Sequence, residues 1–277
     1  MKNLLQYVIL KKTNTALLTF CYWEGDLMNV PSVITAHSFQ AAWAQVVVGL
    51  KSSDWLTWNL VVQIDSPSVI DPDIQNCMME FAKCHGLITP VQVAHTIFPY
   101  KFYKSGIDRD RLYQKYWRYF KFTRTQPHRG WGTYFERMIR YAPNGDNVQA
   151  VDQLATIIDA INGRSRNYGA AYTIVIPYPQ KDSRRMMGAP CLNYLTVQVE
   201  TTGRCKRINL LAVYRNHDFL ERAYGNYLGL CKLLEYIAIE TNSEIGSFTC
   251  VSSRAYVPRH KQALYALAKS VLEEGIT

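Results

Sequence analysis

A chain of 277 residues that is 48% hydrophobic holds one large domain with a sizeable core or two small ones, and it contains no low-complexity tract and no repeat of fixed period. Its formal charge of +9 favours anionic ligands, from nucleotides and nucleic acid to acidic surfaces, without choosing among them. No stretch reaches the roughly 18 uninterrupted apolar residues of a membrane helix, so a membrane-spanning helical protein is excluded and a cytoplasmic one is expected.

In chain order, residues 1–37 read as short strands and turns, with apolar runs at Tyr7-Val8-Ile9-Leu10 and Ala16-Leu17-Leu18-Thr19-Phe20. The first run follows Gln6, is closed by Lys11-Lys12 and lacks a small-residue cleavage site. It reads as a strand or helix and not as a leader peptide. Ser38 suits the N-cap of a helix reaching Leu50, with Ala42, Trp43, Val46 and Val47 on one side. Residues 59–64 read as a strand; Pro67 and Pro72 break the chain, and a helix follows over about 73–84. Cys77, Cys84 and His85 lie close in sequence, but no Cys-x-x-Cys or His-x-x-x-His pair accompanies them, and no metal is assigned. The cysteines (Cys21, Cys77, Cys84, Cys191, Cys205, Cys231 and Cys250) are odd in number and irregularly spaced. They read as free thiols of a reducing compartment.

Between Lys101 and Arg140, lysines and arginines alternate with Tyr, Trp and Phe. That mixture suits single-stranded nucleic acid. It equally suits an amphipathic helix with aromatics inward and cations in solvent, and the second reading is preferred because no nucleic-acid motif accompanies the charge. Val151, Leu154, Ile157, Ile158 and Ile161 fall on one helical face, closed by Asn162-Gly163. Residues 173–176, 195–199 and 208–214 read as strands, the last two joined by a turn around Gly203. Residues 227–239 form a long apolar helix, 246–251 a strand and 262–273 a terminal helix. The class is mixed α and β.

The chemistry concentrates between Gly188 and Asn226. Gly188-Ala189-Pro190-Cys191 is followed by an apolar strand, then by Arg215-Asn216-His217-Asp218, then by Asn226. A thiol can act as a nucleophile once ionised. A guanidinium beside it lowers its pKa and also neutralises a phosphate. An amide offers one donor and one acceptor to the edge of a pyrimidine. Taken singly, Cys191 reads as inert packing, Arg215 and Asp218 as a capping ion pair, and Tyr256 as core.

From about Gly132 to Tyr256 the series resembles thymidylate synthase and the pyrimidine-nucleotide hydroxymethylases that share its fold. It comprises Tyr134, Arg140, Pro143, Asp152-Gln153-Leu154, Ala189-Pro190-Cys191, Tyr214-Arg215-Asn216-His217-Asp218, Asn226, Gly246-Ser247-Phe248 and Tyr256. Residues 1–131 are similar only in outline, to the shorter archaeal and hydroxymethylase-like branch. The resemblance implies one α+β domain over residues 1–277, with a divergent half (1–131) and a catalytic half (132–277). It implies a mixed sheet flanked by helices and a homodimer through the sheet face. It further implies a carbon-5 methyl- or hydroxymethyltransferase acting on a uridine-type monophosphate, with methylenetetrahydrofolate as donor. On this pattern Cys191 adds to the ring as thiolate, Arg215 and Asn216 hold the phosphate, and Asn226 reads uracil. Asp218 meets the folate ring, and Tyr256 bonds the sugar hydroxyl with Arg254 beside it in the catalytic group. His217 matches a variable position and reads as surface or as support for the site.

Several positions depart from that pattern. Leu192 and Arg254 stand where histidines are usual, Tyr214 for a Gln and Asn216 for a Ser. The paired arginines that reach a partner subunit's phosphate site would fall at Ala171 and Tyr172; Arg164 and Arg166 are the nearby substitutes. Asp182-Ser183-Arg184-Arg185 spells the family's string too close to Cys191, and is taken as coincidence or a shifted anion contact. The sequence stops at Thr277, without the segment that closes over folate in bacterial members, and no general-acid Glu is assigned. These departures keep a second reading open, in which the protein binds a nucleotide as a sensor or interaction subunit and does not turn it over.

Overall fold

The computed structural model describes residues 32–104, 108–123, 131–143, 150–163, 167–184, 188–203 and 205–274. The apolar runs at 7–10 and 16–20, Arg164, Arg166 and Arg185 lie outside them. Strand β1 (Val33–Ala36) leads into helix α1 (Phe39–Leu50), capped as expected by Ser38, whose Oγ accepts the Ala41 N–H at 3.2 Å. Strand β2 (Leu56–Ile64) precedes α2 (Pro72–Cys84), which Asp71 starts by accepting from the N–H groups of Asp73 and Ile74. The sequence reading contains no helix between residues 84 and 101, yet α3 (Pro90–Ile97) is there. Thr89 and Gln92 form a reciprocal capping box, Pro90 opens the first turn, and Val93, Ala94 and Ile97 are buried.

The basic stretch folds as α4 (Arg109–Thr123), with Leu112, Tyr116 and Phe120 buried one turn apart and Arg111, Lys115 and Arg118 in solvent. Tyr116 and Phe120 belong to the core, Tyr113 and Trp117 pack half-buried against it, Tyr119 is exposed, and Arg111, Lys115 and Arg118 form a solvated face. Helices α5 (Tyr134–Ile139) and α6 (Gln153–Gly163) follow, then β3 (Tyr172–Val175), the single turn α7 (Pro179–Asp182), and the hairpin of β4 (Leu192–Thr202) and β5 (Cys205–Tyr214) around Gly203. A two-residue strand, β6 (His217–Asp218), precedes helix α8 (Ala223–Glu240), strand β7 (Glu244–Tyr256) and helix α9 (Lys261–Glu274).

The strands form one mixed seven-stranded sheet, in the order β1-β2-β7-β5-β4-β3, with β6 paired to β7 past the end of β5. Pairs β1–β2, β5–β7 and β6–β7 are parallel; β2–β7, β3–β4 and β4–β5 are antiparallel. This is the α+β architecture expected, a mixed sheet flanked by helices. Helix α8 runs through its centre, and every residue from Ala223 to Cys231 is buried. A helix apolar all round must be packed on all sides; here β5 and β7 lie beneath it and α1 and α3 cover it. Helix α3 approaches so closely that a Cβ on Gly225 would lie 2.7 Å from the Pro90 carbonyl oxygen, and one on Gly229 2.8 Å from that of Ala94. Both obstacles are backbone and cannot swing aside. Gly229→Ala, a change that favours an exposed helix, is therefore expected to cost about 1–3 kcal/mol, read as a lower urea midpoint at unchanged slope.

The face of the sheet opposite α8 carries a cross-strand row Val61, Val251, Val213, Tyr194, half-exposed and outside the core cluster. Cys77, Cys84, Cys191, Cys205, Cys231 and Cys250 are free thiols. Cys77, Cys84 and His85 do not form a metal cluster; no group of three or more such ligands exists among the described residues.

Candidate active site

Two departures from regular strand geometry build the site. The first lies in the β4–β5 hairpin. Its pairing runs regularly from Thr202↔Cys205 to Tyr194↔Val213, and then a bulge at Asn193 shifts the register so that Leu192 faces Tyr214. Cys191 consequently meets Arg215, whose N–H donates to the Cys191 carbonyl at 2.9 Å. The second lies between β5 and β6. Both strands pair in parallel with β7 in the same register, Tyr214 with Ser252 and His217 with Ala255, and Arg215-Asn216 is the unpaired two-residue step between them.

The Arg215 side chain folds back over the loop before Cys191. Its Nε donates to Pro190 O at 3.0 Å and its Nη2 to Ala189 O at 3.1 Å. Cys191 Sγ lies 4.0 Å from the same Ala189 oxygen, so sulfur and guanidinium flank one carbonyl. The thiol is half-buried, neither sealed nor fully open. The Cys191 N–H donates to the phenol oxygen of Tyr134 at 3.2 Å, which fixes the loop from the α5 side. Burial, with the nearby Cys191, pushes the Tyr134 phenol up to about 12.

Sequence reasoning expects Arg215 to lower the pKa of Cys191. The guanidinium does act in that direction, but burial outweighs it and the thiol is raised from its ordinary value. A second cation, Arg222, also draws the thiol down. It stands at the N-cap of α8, exposed, with no hydrogen bond to its guanidinium among the described residues. The sequence reading missed it, because Glu221-Arg222 looks like ordinary solvated charge.

The remaining candidates fall into two groups. Asn216 accepts from Arg254 Nη1 at 2.9 Å, and the Arg254 guanidinium lies 4.2 Å above the Tyr256 ring. Tyr256 pairs with Asp218 across the β6–β7 ladder, so Cys191, Arg215, Asn216, Asp218, Arg254 and Tyr256 lie at one end of the central strands. Asp218 makes no ion pair with Arg215. Its Oδ1 accepts from the N–H groups of Leu220 and Glu221 at 2.8 and 3.1 Å, closing the turn that leads to α8, and burial raises its carboxyl. Its Oδ2 has no partner among the described residues.

Asn226 sits deeper, 4% exposed, in the first turn of α8. Its Nδ2 faces His217 Nε2 at 3.1 Å, and His217 Nδ1 faces Ser252 Oγ at 2.9 Å. The surface reading of His217 is therefore wrong. The residue is 1% exposed, because pairing of β6 with β7 turns alternate side chains inward, and its ring stacks on Tyr214 at 4.2 Å. Leu192 is fully buried at the start of β4. Asp182 is no anion contact: it forms a buried bidentate ion pair with Arg137. Arg140 lies at the end of α5, near the Trp117 ring.

No known family profile matches the chain. It is distantly homologous to curated archaeal proteins, each named "Putative thymidylate synthase". Identity is 30% over 128 residues with that of Methanosarcina mazei, covering 46% of this chain and 53% of the relative. With the Methanosarcina barkeri protein it is 26% over 110 residues (40% and 48%), and with that of Methanosarcina acetivorans 30% over 112 residues (40% and 48%). The chain thus spans about half the length of the curated relatives it matches.

Proposed function

We propose that this protein is a thymidylate-synthase-like one-carbon transferase that acts at carbon 5 of a uridine-type monophosphate through addition of the Cys191 thiolate to the ring. The observation that carries this reading is the clasp between Arg215 and the Ala189-Pro190-Cys191 loop, which holds a cation beside a half-open thiol. A phosphate on Arg215 and the Asn216 amide would leave the base to lie over the sulfur. Addition at carbon 6 gives carbon 5 the electron density to attack a one-carbon donor; the donor's amine and the carbon-5 proton would then leave, and water (hydroxymethyl product) or a hydride from the donor (methyl product) would add at the new exocyclic carbon as the sulfur is expelled from carbon 6. Arg215 and Arg222 favour the thiolate and offset part of what burial takes away.

Methylenetetrahydrofolate would supply the one-carbon unit. The residue suited to hold it is Asp218, which has one carboxylate oxygen engaged in the turn and the other open to N–H donors of a pterin. The functional test is release of tritium from position 5 of the labelled nucleotide, with its expected outcome given in the Discussion.

The reading includes a homodimer through the uncovered sheet face. The row Val61, Val251, Val213, Tyr194 is apolar and continuous across four strands, the kind of surface a second sheet buries. A single charge in its middle, Val213→Arg, is expected to convert a dimer to a monomer in sedimentation velocity. A native chain that sediments as a monomer at tens of micromolar removes this part of the proposal.

One observation favours the alternative of a nucleotide-binding protein without turnover: the raised thiol of Cys191, beside a buried Leu192 that offers no proton acceptor. Calorimetric binding of a uridine nucleotide without carbon-5 exchange supports the alternative, and exchange supports the transferase.

A further inference from the structure

The polar line runs from Asn226, 4% exposed, inward to His217 at 1% and Ser252 at 0%. As placed, the amide nitrogen of Asn226 donates to His217 Nε2. Nε2 must then be bare, and the ring proton is on Nδ1, where it donates to Ser252 Oγ. Burial keeps the imidazole neutral, pushed down to about 3, so it holds one proton and one lone pair throughout the working range of pH.

The ring has no room to turn. Tyr214 stacks on one face, with an interplanar angle of 3°, while Tyr227 meets it edge-on at 5.5 Å and Phe219 lies 5.1 Å away. While the ring proton stays on Nδ1, turning the Asn226 amide over would set its oxygen lone pairs against the lone pair of Nε2; turning it without that clash requires the proton to move to Nε2 and the Ser252 hydroxyl to donate to Nδ1. With the Nδ1–H tautomer the amide keeps its nitrogen toward His217 and its Oδ1 toward the other side.

We infer that His217 is a positioning residue that locks the Asn226 amide and thereby sets a preference for a pyrimidine with an N–H at ring position 3 over one with a lone pair there. This rests on the reading of Asn226 as the residue that meets the base. A locked Oδ1 accepts from the ring N–H of a uracil-type base and repels the bare ring nitrogen of a cytosine-type base. The second N–H of the same amide points along the same edge, where uracil carries a carbonyl oxygen and cytosine an amino group. Without the lock, the amide rotates to suit either base.

The test has two readouts. In the ¹⁵N-labelled chain, long-range ¹H–¹⁵N correlation is expected to show His217 as the Nδ1–H tautomer. By calorimetry with uridine and cytidine 5′-monophosphates, the native chain is expected to prefer uridine. His217→Phe keeps the stack on Tyr214 but offers no acceptor, and the preference is expected to fall about tenfold. His217→Gln, whose Oε1 accepts the Asn226 N–H, is expected to restore most of it. An Nε2–H tautomer overturns the inference whether or not the variants fold. So does a native preference that persists in His217→Phe, which leaves the wider functional reading intact. A native chain that binds neither nucleotide sinks that reading and this inference with it.

Discussion

Cys191→Ala is expected to abolish tritium release from position 5 of a uridine-type monophosphate, a loss on the order of 10⁴-fold or more, because no other group in the site can form the bond to carbon 6. Cys191→Ser is expected to fail as completely, since an alkoxide is far costlier to form than a thiolate beside the same two guanidiniums. Nucleotide binding is expected to persist in both, since Arg215 and Asn216 are untouched. Release that continues in Cys191→Ala rules the mechanism out. The direction of the thiol shift adds a pH signature. The reactive form is the thiolate, so alkylation of Cys191 by iodoacetamide rises as pH approaches the thiol's pKa from below, and burial has moved that pKa upward. Arg222→Ala removes one of the two cations drawing it down, and the whole profile is expected to move to higher pH. A profile that stays in place means that Arg222 does not act on the sulfur.

Asp182→Ala is expected to destabilise the fold by about 3–5 kcal/mol, the range for stranding one member of a buried ion pair. Arg137 is 2% exposed and Asp182 6%. The guanidinium also donates to Ile176 O at 3.0 Å, lies 4.0 Å over the Tyr178 ring, and would be left charged and desolvated. For a domain of this size the melting temperature is expected to fall on the order of 10 °C. Replacing both partners with apolar side chains is expected to recover much of the loss, which a double-mutant cycle measures. The pair also matters to the site, because α5 carries Tyr134 as well as Arg137, and Tyr134 holds the Cys191 amide. An Asp182→Ala protein as stable as the native one shows that the pair does not anchor α5.

The parts of the fold that depend on neighbours in sequence were readable in advance. Ser38 and its helix, the break at Pro67 and Pro72, the hairpin about Gly203 and the inward aromatics of α4 follow from caps, turns and periodicity. Helix α3 escaped because eight residues give little periodicity, although Thr89-Pro90-Val91-Gln92 carries both signals of a helix start. The first turn of α8 escaped because Gly225 and Asn226 interrupt its apolar run. At the site, the residues that a resemblance supplies were named, and six of them lie at one end of the central strands. The companions of those residues were not legible. Arg222, His217 and the Arg137–Asp182 pair depend on contacts between elements far apart in the chain, and no local pattern distinguishes a buried His or Asp from a solvated one.

The bulge at Asn193 has a consequence for how this protein tolerates change. Had the hairpin run on without it, Leu192 would stand opposite Arg215 and the sulfur would slide one place along toward Asn216. Deleting Asn193 itself would keep both pairs, Leu192 with Tyr214 and Cys191 with Arg215, because the residue removed is the one without a partner in the ladder. A lineage could thus lose that codon and keep sulfur and cation together, whereas a designer wishing to part them would have to force Asn193 into the ladder.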